Sequence, residues 1–217
     1  MRWRLLDGVP DDDVDRFLSV ARKRSFGRNE VVFHQGDPAD SMQLIRRGRF
    51  AVRVATPLGY VATIAILGAG DCFGELALVG AEPDRSATVT ALEPSETYSV
   101  TRDDLAAFRQ THPQVSDVLL TLLAGRIRRT NALLAEALYV PAEQRVLHRL
   151  EELAELYASD NGEAVIPLTQ EEIADLAGTS RATVNRVLRT AQRAGSVDLR
   201  RGRTVVADRA RLRSALY

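Results

Sequence analysis

The stretch FGELALVGAEPDRSATV, residues 73–89, places Gly74 and Glu75 ahead of a loop that leads into Arg85 and Ser86. Glycine lets the backbone approach a ligand closely, and a short helix after it would present unpaired N–H groups to an anion. Arg85 supplies a permanent charge with forked donors, and Ser86 adds a hydroxyl and a backbone N–H. These groups suit a phosphate, so the stretch predicts an anion-binding loop.

Glu75 does not fit a phosphate site by itself, because a carboxylate repels an anion. It fits if it points away from the phosphate, accepts hydrogen bonds from a sugar hydroxyl and pairs with a cation from elsewhere in the chain. The alternative interpretation is a turn followed by a solvated Arg85. Gly-Glu-Leu and Arg-Ser-Ala by themselves favour this alternative, because each short motif is common in proteins.

The segment resembles the phosphate-binding cassette of the cyclic-AMP receptor protein branch of the cyclic-AMP receptor protein and fumarate-nitrate regulator superfamily of bacterial transcription factors. Its Gly-Glu-Leu matches the first half of that cassette, and its Arg-Ser-Ala matches the second half at the family's own spacing. The resemblance implies that these residues bind a cyclic nucleotide. They are Gly74, Glu75, Leu76, Arg85, Ser86 and Ala87.

The resemblance implies an α+β fold in three parts. A jelly-roll-like β-roll for cyclic-nucleotide binding is expected over residues 1–113, a central dimerisation helix and hinge over 114–140, and a winged helix-turn-helix for DNA binding over 141–217. The residues themselves indicate a β-rich first part, because short β-branched runs between glycine turns are typical of an antiparallel sandwich or barrel. These runs begin at Val31, Met42, Phe50, Val61, Ala87 and Thr97.

The net charge of the chain is zero, but the charge is unevenly distributed. Residues 168–217 hold ten arginines and five acids, whereas residues 1–167 hold nineteen basic and twenty-four acidic residues. A basic C-terminal part is expected of a sensor joined to a DNA-binding module, although a solvated arginine-rich face gives the same count. No stretch approaches the apolar length of a membrane span, so we expect a cytoplasmic protein with no membrane partner.

A jelly roll can also be a metalloenzyme of the cupin type, which needs clustered metal ligands. The three histidines, His34, His112 and His148, are widely scattered. Cys72 is the only cysteine, which excludes an internal disulfide and a set of thiolates for an iron-sulfur cluster. We therefore expect no enzymatic activity, no metal and no cofactor.

Residues 114–139 contain no proline and follow one long helical pattern. The apolar stripe of this helix is too broad for one side, so we expect it to bury two faces. One face would pack on the β-roll and the other on a second copy of the helix. The resemblance also implies a homodimer formed through this helix.

Arg126, Thr130 and Asn131 are close enough in sequence to share a face of the central helix. By resemblance, Arg126 pairs with Glu75, and Thr130 and Asn131 contact the adenine amine of the nucleotide. A hydroxyl and an amide can both accept from such an amine, which makes cyclic AMP the leading effector. Asn131 can also donate, so cyclic GMP stays open as the less favoured effector. The alternative for Asn131 is a polar heptad position that fixes the helix register.

A second motif follows the hinge at Pro141, a residue that ends the central helix and suits the start of the next. Thr169 opens a predicted capping box at the beginning of a further helix. Small Ala174, turn residue Gly178 and apolar Val184 then have the spacing of a helix-turn-helix. Such a motif needs a small residue where its two helices approach closely, a residue that tolerates a left-handed backbone in the turn, and an apolar residue that packs in the core.

The second helix of this motif is expected to enter the major groove of DNA through its N-terminal end. By resemblance, Arg181 and Arg186 read bases, since a guanidinium can grip guanine O6 and N7. Either arginine can instead contact phosphate or stay solvated. Ala182 stands where the best-known pattern has a glutamate that reads cytosine, so the operator should differ there. Further DNA contacts are expected from Thr169, Gln170, Ser180 and Thr183.

The two ends of the chain carry simpler signals. Residues 10–21 begin with Pro10 and three aspartates and then place apolar residues on one face, which predicts a helix. Residues 197–208 predict a β-hairpin about Arg201 and Gly202, a wing beside the DNA backbone. Asp208 is expected to cap a last helix, to which the sequence assigns no role.

Two functions fit these patterns. The first is a homodimeric DNA-binding transcriptional regulator that a cyclic nucleotide controls, with double-stranded palindromic DNA and, by resemblance, RNA polymerase as partners. The second is a constitutive regulator of the same family, whose pocket is vestigial or takes a different small anion. A nucleotide-binding regulatory subunit of an enzyme is disfavoured by the helix-turn-helix. Activation or repression and the identity of the target genes lie beyond these patterns.

Overall fold

The computed structural model describes residues 3–79, 84–158 and 163–214. The chain divides into two compact units, Met1–Thr130 and Asn131–Tyr217. The division falls within one helix, and each unit has a core of its own. The three-part division into residues 1–113, 114–140 and 141–217 stays a prediction.

Within residues 3–79 and 84–130, eight strands form two antiparallel sheets of four strands each. They are β1 Arg22–Phe26, β2 Val31–Phe33, β3 Ser41–Arg47, β4 Phe50–Ala55, β5 Val61–Leu67, β6 Cys72–Phe73, β7 Thr88–Ala91 and β8 Ser95–Thr101. One sheet has the order β1-β8-β3-β6 and the other has the order β2-β7-β4-β5. This is the antiparallel roll that the sequence predicts.

All six predicted runs form strands, but β1 and β6 are absent from the sequence-based prediction. The sequence of β1 is RKRSF, and all but its last residue are exposed, so it shows no alternation of apolar and polar residues. β6 contains two residues, Cys72 and Phe73, too few for any pattern. Both strands are held by pairing with longer neighbours, β8 and β3.

The first unit also contains helices that pack on the roll. The predicted first helix is present as α1, and three aspartates occupy its first turn. The predicted long helix is present as α4, which continues into the second unit. The bounds are α1 Asp11–Val20, α2 Leu76–Val79, α3 Arg102–Thr111 and α4 Gln114–Tyr139.

Two apolar clusters form the interior of the first unit. One draws side chains from both sheets, among them Phe26, Phe50 and Phe73, and fills the roll. The other lies between the outer face of the sheet β1-β8-β3-β6 and the helices, and Val115 and Leu119 of α4 belong to it. One face of α4 therefore packs on the roll, as the sequence predicts.

Within residues 131–158 and 163–214, the second unit joins helices to a three-stranded sheet of order β10-β11-β9. The predicted hairpin about Arg201 and Gly202 is present, and β9 adds a strand that the sequence does not predict. Asp208 caps the last helix, because its carboxylate accepts from the backbone N–H of Arg211 at 2.9 Å. Among the described helices of both units, none combines the length and apolar character needed to cross a lipid bilayer. The bounds are α5 Ala142–Leu156, β9 Ala164–Ile166, α6 Gln170–Ala177, α7 Arg181–Arg193, β10 Val197–Arg200, β11 Arg203–Val206 and α8 Arg209–Ser214.

Gly48 and Gly59 provide a matched pair for testing the turns of the roll, because both have a φ of +83°. A Cβ at Gly48 would lie 2.8 Å from Cα of Ser95, whereas a Cβ at Gly59 would meet no described atom within 4 Å. We expect Gly59→Ala to cost about 1–2 kcal/mol of unfolding free energy through left-handed strain alone. Gly48→Ala should cost about 1–3 kcal/mol more through overlap. Urea unfolding followed by circular dichroism measures both, and equal losses would contradict a role for the Ser95 contact.

Candidate functional site

Gly74 joins β6 to α2 with a φ of +82°, a value that favours glycine. A Cβ at this position would lie 2.7 Å from Nη1 of Arg85 and 3.3 Å from the carbonyl oxygen of Ser41. Glycine is therefore needed twice, for its backbone conformation and for the space that the arginine fills. The close approach observed at Gly74 is to Arg85.

Arg85 is a buried cation, with 6% of its surface exposed. Its Nη1 donates to the carbonyl oxygens of Ser41 at 2.6 Å and Gly74 at 3.3 Å. Its guanidinium lies over the ring of Phe33, 4.1 Å from the centroid. Burial lowers the pKa of Arg85 below its ordinary value, although nearby carboxylates oppose that shift. Nε has no hydrogen-bond partner among the described residues, so Arg85 keeps donor capacity and is not the solvated arginine of the alternative interpretation.

Glu75 follows directly and is buried, with 1% of its surface exposed. Its Oε1 accepts a hydrogen bond from Nη1 of Arg126 on α4, which is the pairing predicted from the resemblance. Nη2 of Arg126 donates to the carbonyl oxygen of Cys72 at 2.6 Å. Burial raises the pKa of Glu75, and the charge of Arg126 opposes this. In the part of the chain that the structure describes, Oε2 of Glu75 has no partner.

The other predicted ligand-binding residues differ in their exposure. Leu76 begins α2 and is half-exposed, Ser86 is exposed and Ala87 is buried. Thr130 and Asn131 are exposed on α4, the first as the last residue of unit one and the second as the first residue of unit two. Contact of these two residues with a base stays a prediction. Residues 80–83 of the cassette loop lie outside the described residues.

Arg102 supports the cassette, although no sequence pattern singles it out. From the first position of α3 its guanidinium donates to the carbonyl oxygens of Ala77 and of Leu78, the latter at 2.8 Å. These carbonyls belong to the end of α2, where a helix lacks main-chain donors and favours a cation. An arginine at a helix start gives no sequence signal for such a contact 24 residues away along the chain.

The helix-turn-helix of the second unit has the predicted local geometry. Thr169 and Glu172 form the predicted capping box of α6. Gly178 ends α6 in the left-handed conformation, with φ of 58° and ψ of 47°. Ala174 and Val184 are both buried, as the close approach and the core anchor require. The sequence therefore specifies this turn residue by residue.

Arg145 of α5 binds the turn of this motif through its whole guanidinium. Nε donates to the carbonyl oxygen of Ala177 at 2.9 Å, and Nη2 donates to that of Gly178 at 2.8 Å. Nη1 donates to the carbonyl oxygen of Val140 at 2.9 Å, just before α5 begins. These contacts satisfy the last carbonyls of α6 and hold the turn against α5.

The predicted DNA-contacting residues lie on α7 and at the start of α6. Ser180 caps α7 by accepting from the backbone N–H of Thr183 at 3.2 Å. Gln170 accepts from the side chain of Asn185 at 3.1 Å, which links α6 to α7. The remaining three, Arg181, Ala182 and Arg186, are exposed on α7, and their contacts with bases stay a prediction.

Two family models match the chain. A cyclic nucleotide-binding domain matches residues 23–112, and a Crp-like helix-turn-helix domain matches residues 144–215. The chain is 32% identical over 214 residues to the CRP-like cAMP-activated global transcriptional regulator of Mycobacterium tuberculosis, covering 97% of this chain and 95% of that protein. It is also 32% identical over 216 residues to the Cyclic AMP receptor protein of Thermus thermophilus, covering 98% and 96%.

Solved structures show the same architecture. The c-di-GMP responsive global regulator CLP of Xanthomonas campestris has a TM-score of 0.79 at 20% identity, over 91% of this chain and 99% of that chain, and this likeness concerns the fold alone. The Catabolite Activator Protein of Thermus thermophilus is 31% identical with a TM-score of 0.57, over 98% of each chain.

The fold, the cassette and the helix-turn-helix together define the class of this protein. It is a transcriptional regulator that combines a cyclic-nucleotide-binding domain with a DNA-binding domain. The relative from Mycobacterium tuberculosis matches nearly the whole chain at 32% identity. The chain therefore belongs to the family of the cyclic-AMP receptor protein, within the superfamily that also includes the fumarate-nitrate regulator.

Arg126→Leu tests the buried ion pair. Without Arg126 the carboxylate of Glu75 stays buried and unpaired, so we expect a loss of about 3–5 kcal/mol of unfolding free energy. The double variant with Glu75→Leu removes both charges and should be more stable than Arg126→Leu alone. Fluorescence of Trp3, the only tryptophan and a buried residue of the first unit, reports denaturant unfolding. Equal stability of single and double variants would show that Arg126 serves something other than Glu75.

Proposed function

We propose that this chain is a homodimeric DNA-binding transcriptional regulator whose binding to DNA is controlled by cyclic AMP. One observation carries the proposal: the cassette combines a buried arginine and a buried glutamate, each with an unused hydrogen-bonding atom among the described residues. Arg85 donates to Gly74, the residue before Glu75, so the two groups belong to one small region. A ligand that suits both carries an anion next to a hydroxyl group, as a cyclic nucleotide does.

Different cassette residues then bind different parts of the ligand. Arg85 and Ser86 bind the cyclic phosphate, because a guanidinium, a hydroxyl and a backbone N–H are good phosphate donors. Oε2 of Glu75 accepts from a ribose hydroxyl, which supplies the partner that this buried oxygen lacks in the described part of the chain. Arg126 favours the ionised form of Glu75, in which both carboxylate oxygens accept.

The base of the nucleotide reaches α4. Thr130 and Asn131 are exposed there, which leaves their polar atoms accessible to a ligand. Each can accept a hydrogen bond from the exocyclic amine of adenine, and this favours cyclic AMP. The amide of Asn131 can also donate to the carbonyl oxygen of guanine, so cyclic GMP is the competitor that an experiment must include.

A second copy of the chain covers the outer face of α4. Leu120, Ile127 and Leu134 follow one another at seven-residue intervals and are 65%, 62% and 58% exposed. A seven-residue repeat of apolar residues is the spacing of a coiled-coil seam. The helix that carries Arg126 thus also carries the proposed dimer seam, so ligand binding and dimer geometry share one element.

The dimer has two copies of α7, and a palindromic operator presents two half-sites to them. Recognition helices of this motif enter successive major grooves about one helical turn apart. Cyclic AMP binds more tightly to the dimer arrangement in which both helices fit the DNA. It therefore increases the population of that arrangement. RNA polymerase is the further partner that transcriptional control implies.

A constitutive regulator with a vestigial pocket, or with a different small anionic effector, is the second candidate. One observation favours it. Nη1 of Arg85 already donates to two backbone carbonyl oxygens, so part of its fork is occupied. Phosphate binding would then rely on the other donors of the guanidinium.

Calorimetry with cyclic AMP and cyclic GMP tests the proposal, and Arg85→Leu tests the site. We expect tighter binding of cyclic AMP by the natural chain, and loss of binding in Arg85→Leu, which has neither charge nor donors. Arg85→Lys keeps the charge without the fork and should bind weakly. Because Arg85→Leu also deprives the Ser41 and Gly74 carbonyls of a donor, it should cost about 1–3 kcal/mol of stability, so circular dichroism must confirm folding. Operator binding without a response to either nucleotide would favour the constitutive candidate.

Cyclic AMP affinity should depend on pH through Glu75. Its pKa is raised above the ordinary value of 4.5 by burial, so on acidification this carboxylate takes up a proton before the pH falls to 4.5. Protonation weakens the pair with Arg126, and affinity should therefore be full at neutral pH and decline as the pH falls through the raised pKa. Calorimetry at decreasing pH measures this decline. The Glu75→Gln variant cannot titrate at this position, so it should bind cyclic AMP more weakly and show no such decline. A constant affinity of the natural chain down to pH 4.5 would exclude Glu75 from the site.

A further inference from the structure

Arg186, which is expected to read a base, contacts an acidic residue from another helix of the same unit. Its Nη2 donates to Oε1 of Glu143 at 2.6 Å. Glu143 lies in the first turn of α5, and Arg186 lies in the N-terminal half of α7. The two side chains are 65% and 50% exposed, so the pair lies at the surface of the helix-turn-helix.

The contact leaves enough donors for a base. A guanidinium carries five N–H groups, and guanine O6 and N7 together accept two hydrogen bonds. The bond to Glu143 occupies one N–H on Nη2. The other N–H groups of Arg186 can therefore bind guanine while Glu143 stays in place.

Holding the arginine matters more for recognition than for stability. An exposed ion pair contributes little to the free energy of unfolding. A long, flexible side chain, however, loses rotamer freedom when it grips a base, and a neighbour that already restrains it reduces that loss. The restraint increases the preference for guanine over other bases, because only guanine accepts hydrogen bonds from the guanidinium in its restrained orientation.

We propose that Glu143 is a positioning residue for base reading, which holds the guanidinium of Arg186 in the orientation that grips a guanine of the operator. The inference rests on the DNA-reading role proposed for Arg186. Glu143 has a simpler role as well, because an acid in the first turn complements the dipole of α5. The dipole role needs only a negative charge, whereas the positioning role also needs a side chain long enough to contact Arg186. Replacement of Glu143 by the shorter aspartate therefore separates the two roles.

The experiment must also separate positioning from plain repulsion between Glu143 and the DNA phosphates. Repulsion lowers affinity for every sequence alike. The measured quantity is therefore a ratio, the affinity for the operator divided by the affinity for the same operator with one base pair exchanged. Uniform electrostatic effects cancel in this ratio, and a change in base preference does not.

Full-length protein is incubated, with and without cyclic AMP, with a library of double-stranded oligonucleotides that carry randomised symmetrical half-sites. Arg186→Ala first identifies the base pair whose preference depends on the arginine. Glu143→Gln and Glu143→Asp should each reduce the preference at that base pair by about two- to fivefold, the range open to an exposed pair. Preferences elsewhere should stay unchanged, and in the Arg186→Ala background Glu143→Gln should change nothing further.

Glu155→Gln is the matched control, because Glu155 is an exposed acid at the other end of α5 that pairs with Arg209 of α8. It should leave every base preference unchanged. An undiminished preference in both Glu143 variants, or an equal loss in Glu155→Gln, would overturn the positioning role alone. If Arg186→Ala itself alters no base preference, the DNA-reading role of Arg186 fails and the positioning role fails with it. The two failures are thus distinguishable.

Discussion

The buried carboxylate of Glu75 is the constraint on which the cassette depends. A carboxylate inside a protein costs several kcal/mol unless a cation and hydrogen bonds compensate it. Arg126 supplies that cation from α4, 51 residues further along the chain. The same guanidinium donates to the carbonyl oxygen of Cys72, the first residue of β6. One side chain therefore connects the long helix to the strand before the cassette and to the cassette itself, and α4 cannot shift along the roll without exposing or breaking this pair.

Several arginines of this chain bind the backbone and so serve the fold. Arg85, Arg102 and Arg145 each bind backbone carbonyl oxygens, in two cases at the end of a helix, where main-chain donors are lacking. The ten arginines of residues 168–217 made this part of the chain basic in the sequence, but among the described residues at least five of them form ion pairs with acids of the second unit. Net charge alone is therefore a weak signal for DNA binding.

Local patterns predicted local structure, whereas contacts between distant residues were found only through the resemblance or in the three-dimensional structure. The helical period of α4 and the capping box of α6 are local and were predicted, but β9 has only three residues and was missed. The contact between Glu75 and Arg126 was predicted only through the resemblance, since no local pattern indicates it. Glu143 gave no signal either, because an acid in a first helical turn is already explained by the helix dipole.

The end of α4 is bound to α5 through contacts within the second unit. Arg149 is buried and pairs with Glu136 at 2.7 Å, across the turn at Pro141. Arg145 closes the same turn by donating to the carbonyl oxygen of Val140 at 2.9 Å. Arg149 also contacts Glu152 of α5 at 3.2 Å, so bending at Pro141 would remove one carboxylate partner of this buried arginine and leave another in place. Two arginines of α5 therefore join this helix to the end of α4 across Pro141.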